Sequence, residues 1–240
     1  MPKVAIFIPC FMDQLYPQTA VNMVKVLRKV GCEVVYNTNQ TCCGQPAHNA
    51  GFAEQSKPVC EKFIQDFQTD ADYIVAPSAS CVAFITQSYP KIFAQNGYDK
   101  HILAITNKLY EFTEFLVDVL GVEQVGASFE HTVTFHDGCA AINTLGIRDA
   151  PRRLLANVHG LQLIEASDAD VCCGFGGTFA IKAEPIATAM AQRKLANAWI
   201  TDAEFVVSTE ASCLLHLQGI AHKNDQPLHF LHIADVLACE

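Results

Sequence analysis

A chain of 240 residues, half of them hydrophobic and 17% charged, can bury a sizeable core, which excludes an intrinsically disordered protein. A net charge of −9, with 16 Lys and Arg against 25 Asp and Glu, excludes a basic nucleic-acid face. The first apolar run reaches Asp13 without a small-residue cleavage site and is too short to span a bilayer, so a cytoplasmic protein with no membrane span is expected.

Along the chain, residues 4–9 form a short run rich in Val and Ile, suited to a buried strand. Residues 18–30 place Val21, Val24, Leu27 and Val30 on one helical stripe, and Gly31 stands where that helix would end. Residues 33–36 and 73–76 read as further strands, with a helical stretch near 53–68 between them. Residues 101–106 read as a fourth strand, followed by an amphipathic helix over 107–120. The second half runs likewise, with strands near 132–136, 161–165, 204–208 and 228–231, helices between them and a last helix over 234–238. Strands alternating with helices predict parallel sheets covered on both faces.

The plan is written twice. "ADYIVAPSASC" at 71–81 aligns with "AEFVVSTEASC" at 203–213, "VAIFIPC" at 4–10 with "VTFHDGC" at 133–139, and "KVGCEVV" at 29–35 with "VHGLQLI" at 158–164. Offsets of 129 to 132 describe a duplication with small loop changes. The predicted fold is therefore α/β, with two similar lobes from an internal duplication. Each lobe is a small parallel sheet flanked by helices, the first over 1–122 and the second over 131–240.

Cys-Cys-Gly at 42–44 returns at 172–174. Eleven cysteines in 240 residues fall below the density of a disulfide scaffold, and a bond between neighbours would close a strained ring. In a reducing compartment, patterned cysteines point to metal or redox chemistry. Eight keep the register of the repeat: Cys10, Cys42, Cys43 and Cys81, then Cys139, Cys172, Cys173 and Cys213. Cys10, Cys81, Cys139 and Cys213 each follow a predicted strand, and the carboxyl ends of strands in an open parallel sheet share the edge where ligands collect. Neighbouring side chains in a strand point to opposite faces. Adjacent thiols that grip one object therefore need a loop, and the following glycine is free to take a positive φ.

Four thiolates per half suit an iron–sulfur cluster or a zinc site made of four cysteines. Neither half has the paired knuckles typical of zinc. The expectation is an iron–sulfur cluster of the 4Fe–4S kind, one or two per chain, with zinc in one site as the lesser alternative. Helix N-termini after the four single cysteines would supply dipoles and N–H donors, and the glycines of "CCGFGGTF" would let backbone amides approach the sulfurs. Cys32, Cys60 and Cys239 have no repeat partner and read as ordinary buried cysteines.

Cys…Cys-Cys-Gly…Cys, twice over, resembles the cysteine-rich CCG-domain proteins, among them the B subunit of heterodisulfide reductase and the iron–sulfur subunit of glycolate oxidase. With "CFMD", "QTCCGQPA", "DYIVAPSASC", "FHDGC", "CCGFGGTFAIK" and "LHIADVLA", the chain is similar over nearly its whole length to the lactate-utilization protein A family. That resemblance implies an oxidoreductase subunit that transfers electrons as L-lactate becomes pyruvate. It also implies two further lactate-utilization subunits, one a ferredoxin-like iron–sulfur protein. Nothing in composition or spacing points to lactate. One departure stands out: where related domains end each motif with C-x-x-C, this chain has Phe84 and His216. A fifth thiol per half is missing, which leaves ligands for an ordinary 4Fe–4S cluster. His216 reads as a helix-face histidine, with ligation the lesser alternative.

"GFGG" at 174–177 lacks the G-x-G-x-x-G spacing of a dinucleotide loop. His136 and Asp137 read as a pair orienting the rim around Cys139, with proton transfer the alternative, and His48 reads likewise. No catalytic residue is assigned. Two other functions fit the cysteines: a cluster-dependent thiol/disulfide oxidoreductase, and a zinc-stabilised scaffold without enzymatic activity.

Overall fold

The computed structural model describes residues 1–94 and 97–240. The first half runs β1 (Lys3–Ile6), α1 (Cys10–Leu15), α2 (Pro17–Lys29), β2 (Glu33–Tyr36), α3 (Gln45–Asn49), α4 (Ala53–Asp66), β3 (Tyr73–Ala76), α5 (Ala79–Ile92), α6 (Asp99–Thr106), β4 (Leu109–Glu111) and a short α7 (Phe112–Glu114) that continues as a π-turn over Phe115–Val119. The second runs β5 (Thr132–His136), a π-turn over Ala141–Leu145, α8 (Asp149–Ala156), β6 (Gln162–Leu163), α9 (Phe179–Lys182), α10 (Glu184–Trp199), β7 (Phe205–Ser208), α11 (Ala211–Lys223), β8 (His229–His232) and α12 (Ile233–Leu237). Two four-stranded parallel sheets result, with orders β2-β1-β3-β4 and β6-β5-β7-β8. Ala5 sits between Val35 and Ile74 in one, and Val133 between Leu163 and Phe205 in the other.

The period-2 alternation of the central strands decides which core each residue enters. Val4, Ile6 and Ile8 face a shared core that also takes Val133 and Phe135 from β5 and Val207 from β7. Ala5 and Phe7 face the other way, into a core whose buried residues come from the first half, among them Phe63, Phe67 and Tyr89, with Leu145 of the second half packed against it. A third, smaller core serves the second half alone, built on Leu195, Val206, Leu214 and Leu217.

Helices cross between the halves to complete the shared core. Asp235 of α12 accepts from Thr19 Oγ1 at 2.8 Å and Asn22 Nδ2 at 2.9 Å, tying α12 to α2. Arg153 of α8 reaches back to Glu123 at 2.5 Å and Asp118 at 3.6 Å. α2 begins with Pro17, where a missing N–H costs nothing, and ends before Gly31 at φ +89°.

Three expectations need correction. Residues 101–106 are helical: Ile102 and Ile105, three apart, are buried on one side of α6, while Leu103 between them is 59% exposed. The fourth strand is Leu109–Glu111, inside the stretch expected to be helix. Its three residues show the alternation of a strand, Leu109 and Glu111 inward and Tyr110 between them, in a run too short to announce itself. The inward face of α2 is Met23, Val26 and Leu27, and Val21 points to solvent.

Glu111 gives this edge a pH signature. Its Oε2 caps α7, accepting from the N–H of Thr113 at 2.7 Å and of Glu114 at 3.2 Å and from the Thr113 hydroxyl. Burial, only partly offset by those donors, lifts its carboxyl to about 7 from the ordinary 4.5. A raised carboxylate favours the folded state at low pH, where both states hold the proton, and that advantage is lost as pH rises from 4.5 to 7. We therefore expect Glu111→Gln to match the parent near pH 4.5 and to exceed it by on the order of 3 kcal/mol at pH 8. The measurement is denaturant unfolding of both metal-free proteins across that range. Parallel curves would refute the assignment.

Candidate metal centre

All eight repeat cysteines line one cleft of about 310 Å3 between the two sheets, at the carboxyl ends of their strands. Cys10 opens α1, Cys81 and Cys213 lie in the first turns of α5 and α11, and Cys139 opens the helical stretch that runs into the π-turn over Ala141–Leu145. Cys42–Cys43 and Cys172–Cys173 sit in loops that end at Gly44 (φ +88°) and Gly174 (φ +90°). The two halves repeat one another in detail. The Gly44 N–H donates to Cys42 Sγ at 3.4 Å, and the Gly174 N–H donates to Cys172 Sγ at the same distance. Cys10 and Cys42 bring their sulfurs to 3.3 Å.

What turns the two rims toward one another is a contact between equivalent positions of the repeat. Ser78 Oγ donates to Glu210 Oε1 at 2.8 Å, and both side chains are buried. The backbone N–H groups of Ala79 and Ser80, at the start of α5, partly offset the burial that raises the Glu210 carboxyl. The second half thus meets the start of the helix that carries the first half's Cys81, through the Ser78 that caps it. Neither residue belongs to a recognisable chemical motif, so sequence reasoning passed over both. The only available signal was that they align across the repeat.

Within each set one thiol is the easiest to ionise. Cys42 is held well below the ordinary thiol range by donation from Cys10, then from Cys43 and the Gly44 N–H. Cys172 is lowered in the same way by Cys139, Cys173 and the Gly174 N–H. Their donors Cys10, Cys43, Cys139 and Cys173 are raised, first because their protons are engaged by that sulfur and then by burial. Further ionisation stacks anion on anion in a desolvated cleft. A bound cation removes that penalty and releases the remaining protons. Eight soft sulfur donors, with backbone N–H groups aimed at two of them, fit a thiolate-held iron–sulfur cluster or a soft metal ion.

The other singled-out residues divide. Asp137 is bound by a fork from Arg152, at 2.8 and 3.0 Å, and Arg152 also holds Glu165 at 2.6 Å. His136 lies elsewhere: a ring nitrogen, Cys173 Sγ and Cys213 Sγ are all within 4.8 Å of one another. Burial, and then the nearby Lys194 ammonium, lower its pKa to about 3, so the ring is neutral. Lys194 itself is buried, donating to the carbonyls of Asp168 at 2.6 Å and Ala169 at 2.7 Å. His48 packs on the Phe84 ring at 5.2 Å, and His216 lies between the Ala187 carbonyl and the Phe175 ring. Cys32 is buried in the shared core, and Cys60 lies beneath the first Cys-Cys-Gly, where its thiol meets the Cys43 carbonyl at 3.4 Å. Cys239 is only half-buried, contrary to expectation, and its thiol donates to the Asp235 carbonyl at 3.3 Å.

These features define a protein with two cysteine-rich repeats, and the family model "CCG: Cysteine-rich domain" matches residues 4–86 and 133–218, one match in each half. The chain belongs to the lactate utilization protein A family. It is 41% identical to Lactate utilization protein A of Exiguobacterium sp., over 99% of this chain and 97% of that one. The Geobacillus kaustophilus protein of the same name is 39% identical, over 98% of each chain. That of Lysinibacillus sphaericus is 40% identical, over 95% of this chain and 100% of the relative.

The glycines of the two loops are tight for different reasons. A Cβ on Gly44 would meet Cys60 Sγ at 2.6 Å, whereas on Gly174 it would meet the Ala187 carbonyl at 2.6 Å. Each substitution to Ala also forces a positive φ and should cost about 1–3 kcal/mol. Cys60→Ala should recover part of the loss in Gly44→Ala, giving a favourable coupling in unfolding of the double mutant. Gly174→Ala, blocked by backbone, should find no such partner in Met190→Ala. Strict additivity of Gly44→Ala and Cys60→Ala would contradict the packing described.

Proposed function

We propose that the chain is the iron–sulfur electron-transfer subunit of a complex that oxidises L-lactate to pyruvate. The observation that carries the electron-transfer reading is the arrival of eight repeat cysteines, from opposite ends of the chain, in one cleft. The lactate assignment follows from the name shared by its relatives.

In this reading Cys10, Cys42, Cys43 and Cys81 hold one 4Fe–4S cluster and Cys139, Cys172, Cys173 and Cys213 a second. A thiolate-bound cluster accepts and gives up single electrons without moving atoms. The N–H groups of Gly44 and Gly174 steady the sulfur charge, and Phe11, Met12 and Phe175 limit water in the cleft. The C–H chemistry on lactate belongs to a partner. We assign two further lactate-utilization subunits, one of them ferredoxin-like. Phe179 and Ile181 are exposed close to the cleft residue Thr178 and offer such a partner apolar surface. A chain that needs free thiols works in a reducing compartment, and we place it in the cytoplasm. No helix among the described residues is long and apolar enough to cross a membrane.

Anaerobic purification should give coloured protein with about four irons and four sulfides per occupied set. Colourless protein with stoichiometric zinc after anaerobic reconstitution would overturn the redox reading. Deleting the gene should abolish growth on L-lactate and spare growth on pyruvate. Unimpaired growth on L-lactate would overturn the substrate.

A further inference from the structure

The two sets of thiols match, but what stands behind them does not. The strand alignment pairs Phe7 with His136, each three residues before a repeat cysteine. The glycine contacts place α4 and α10 in equivalent positions, Ser56 with Ala187, so that Phe63 corresponds to Lys194. In the first half Phe7 is fully buried and packs edge-on against Phe63 at 4.8 Å, in the same core as Cys43. At the place that His136 and Lys194 take in the second half, the first half has only the hydrocarbon of Phe7 and Phe63.

Behind the second set stands His136, 1% exposed. Neither of its ring nitrogens has a hydrogen-bond partner among the described residues. The carbonyl of Ala169, close to the ring, is already taken by the Asp137 N–H at 3.0 Å and by Lys194 Nζ at 2.7 Å. Leaving a buried polar group unpaired is destabilising, and the first half shows that the fold accepts Phe here. The geometry supplies the missing partner. A ring nitrogen and the sulfurs of Cys173 and Cys213 lie mutually within 4.8 Å, close enough to converge on one metal.

We infer that His136 is a nitrogen ligand beside Cys173 and Cys213 at the centre of the second set, where it takes the place of one of the other two thiolates, Cys139 or Cys172. The inference rests on the proposed metal-binding role of that set. It makes the two sets chemically unequal, one sulfur only and the other sulfur with imidazole. A neutral imidazole in place of anionic sulfur favours the reduced state. The second centre should therefore accept electrons more readily than the first.

The test is pulsed EPR on the full chain, labelled with 15N-histidine, loaded anaerobically with iron and sulfide, and reduced. The expected result is a histidine nitrogen coupling of the size of a direct bond. It should persist in the His48→Gln/His216→Gln double variant, which alters the other two singled-out histidines. It should disappear in His136→Phe and His136→Gln, with one reduction potential falling and the other unchanged. Bound iron without any histidine coupling would overturn the inference and leave the proposed function standing. Loss of the coupling in the double variant, or its survival in either His136 variant, would overturn it as well. Protein that takes up no iron would overturn both.

Discussion

A single buried contact sets the geometry on which the rest depends. Ser78 and Glu210 occupy the same position in the two copies of the repeat, and they meet. Each stands between the end of a strand and the start of a cysteine-bearing helix. Their contact therefore brings the carboxyl ends of both sheets face to face, and the thiols of both halves into one space. A carboxylate so placed is costly to bury, and burial raises its pKa. The hydroxyl of Ser78, the backbone at the start of α5 and the dipole of that 14-residue helix offset the cost.

The scaffold makes that meeting hard to undo. α2 packs on α12 and α8 on the turn after α7, so each half completes its core with helices of the other. Separating the halves would expose Leu27, Phe115, Leu154 and Ile233 together, all buried in the shared core. Four of the eight thiols ride on the first turns of helices anchored in this way, and four on loops shaped by Gly44 and Gly174. Thiols held by a rigid frame can converge without a metal to gather them.

Much of this was legible before any coordinates. Cysteines that keep register across the repeat, each single one just past a strand, place themselves at a sheet edge through the logic of parallel α/β topology. The adjacent pairs announce loops, and the glycine after each pair announces a positive φ. Other features leave no such trace. A three-residue edge strand at 109–111 carries too little periodicity to outvote the amphipathic run around it. The inward face of α2 depends on where α12 lies, more than 200 residues away, and Val21 is as apolar as Val26. Glu210 reads as a solvent-facing acid until the other half is folded against it. His136 sits in a strand whose counterpart position is Phe, and only the third dimension shows its ring beside two thiols rather than beside Asp137.

Diffraction at the iron absorption edge, from anaerobically grown crystals of the iron-loaded protein, tests the central claim most directly. The account predicts that all anomalous density for iron lies in the one cleft bounded by the two halves, ringed by sulfurs from both copies of Cys…Cys-Cys-Gly…Cys. Iron bound outside that cleft, or Cys10, Cys42, Cys43 and Cys81 directed away from a common centre, would contradict it.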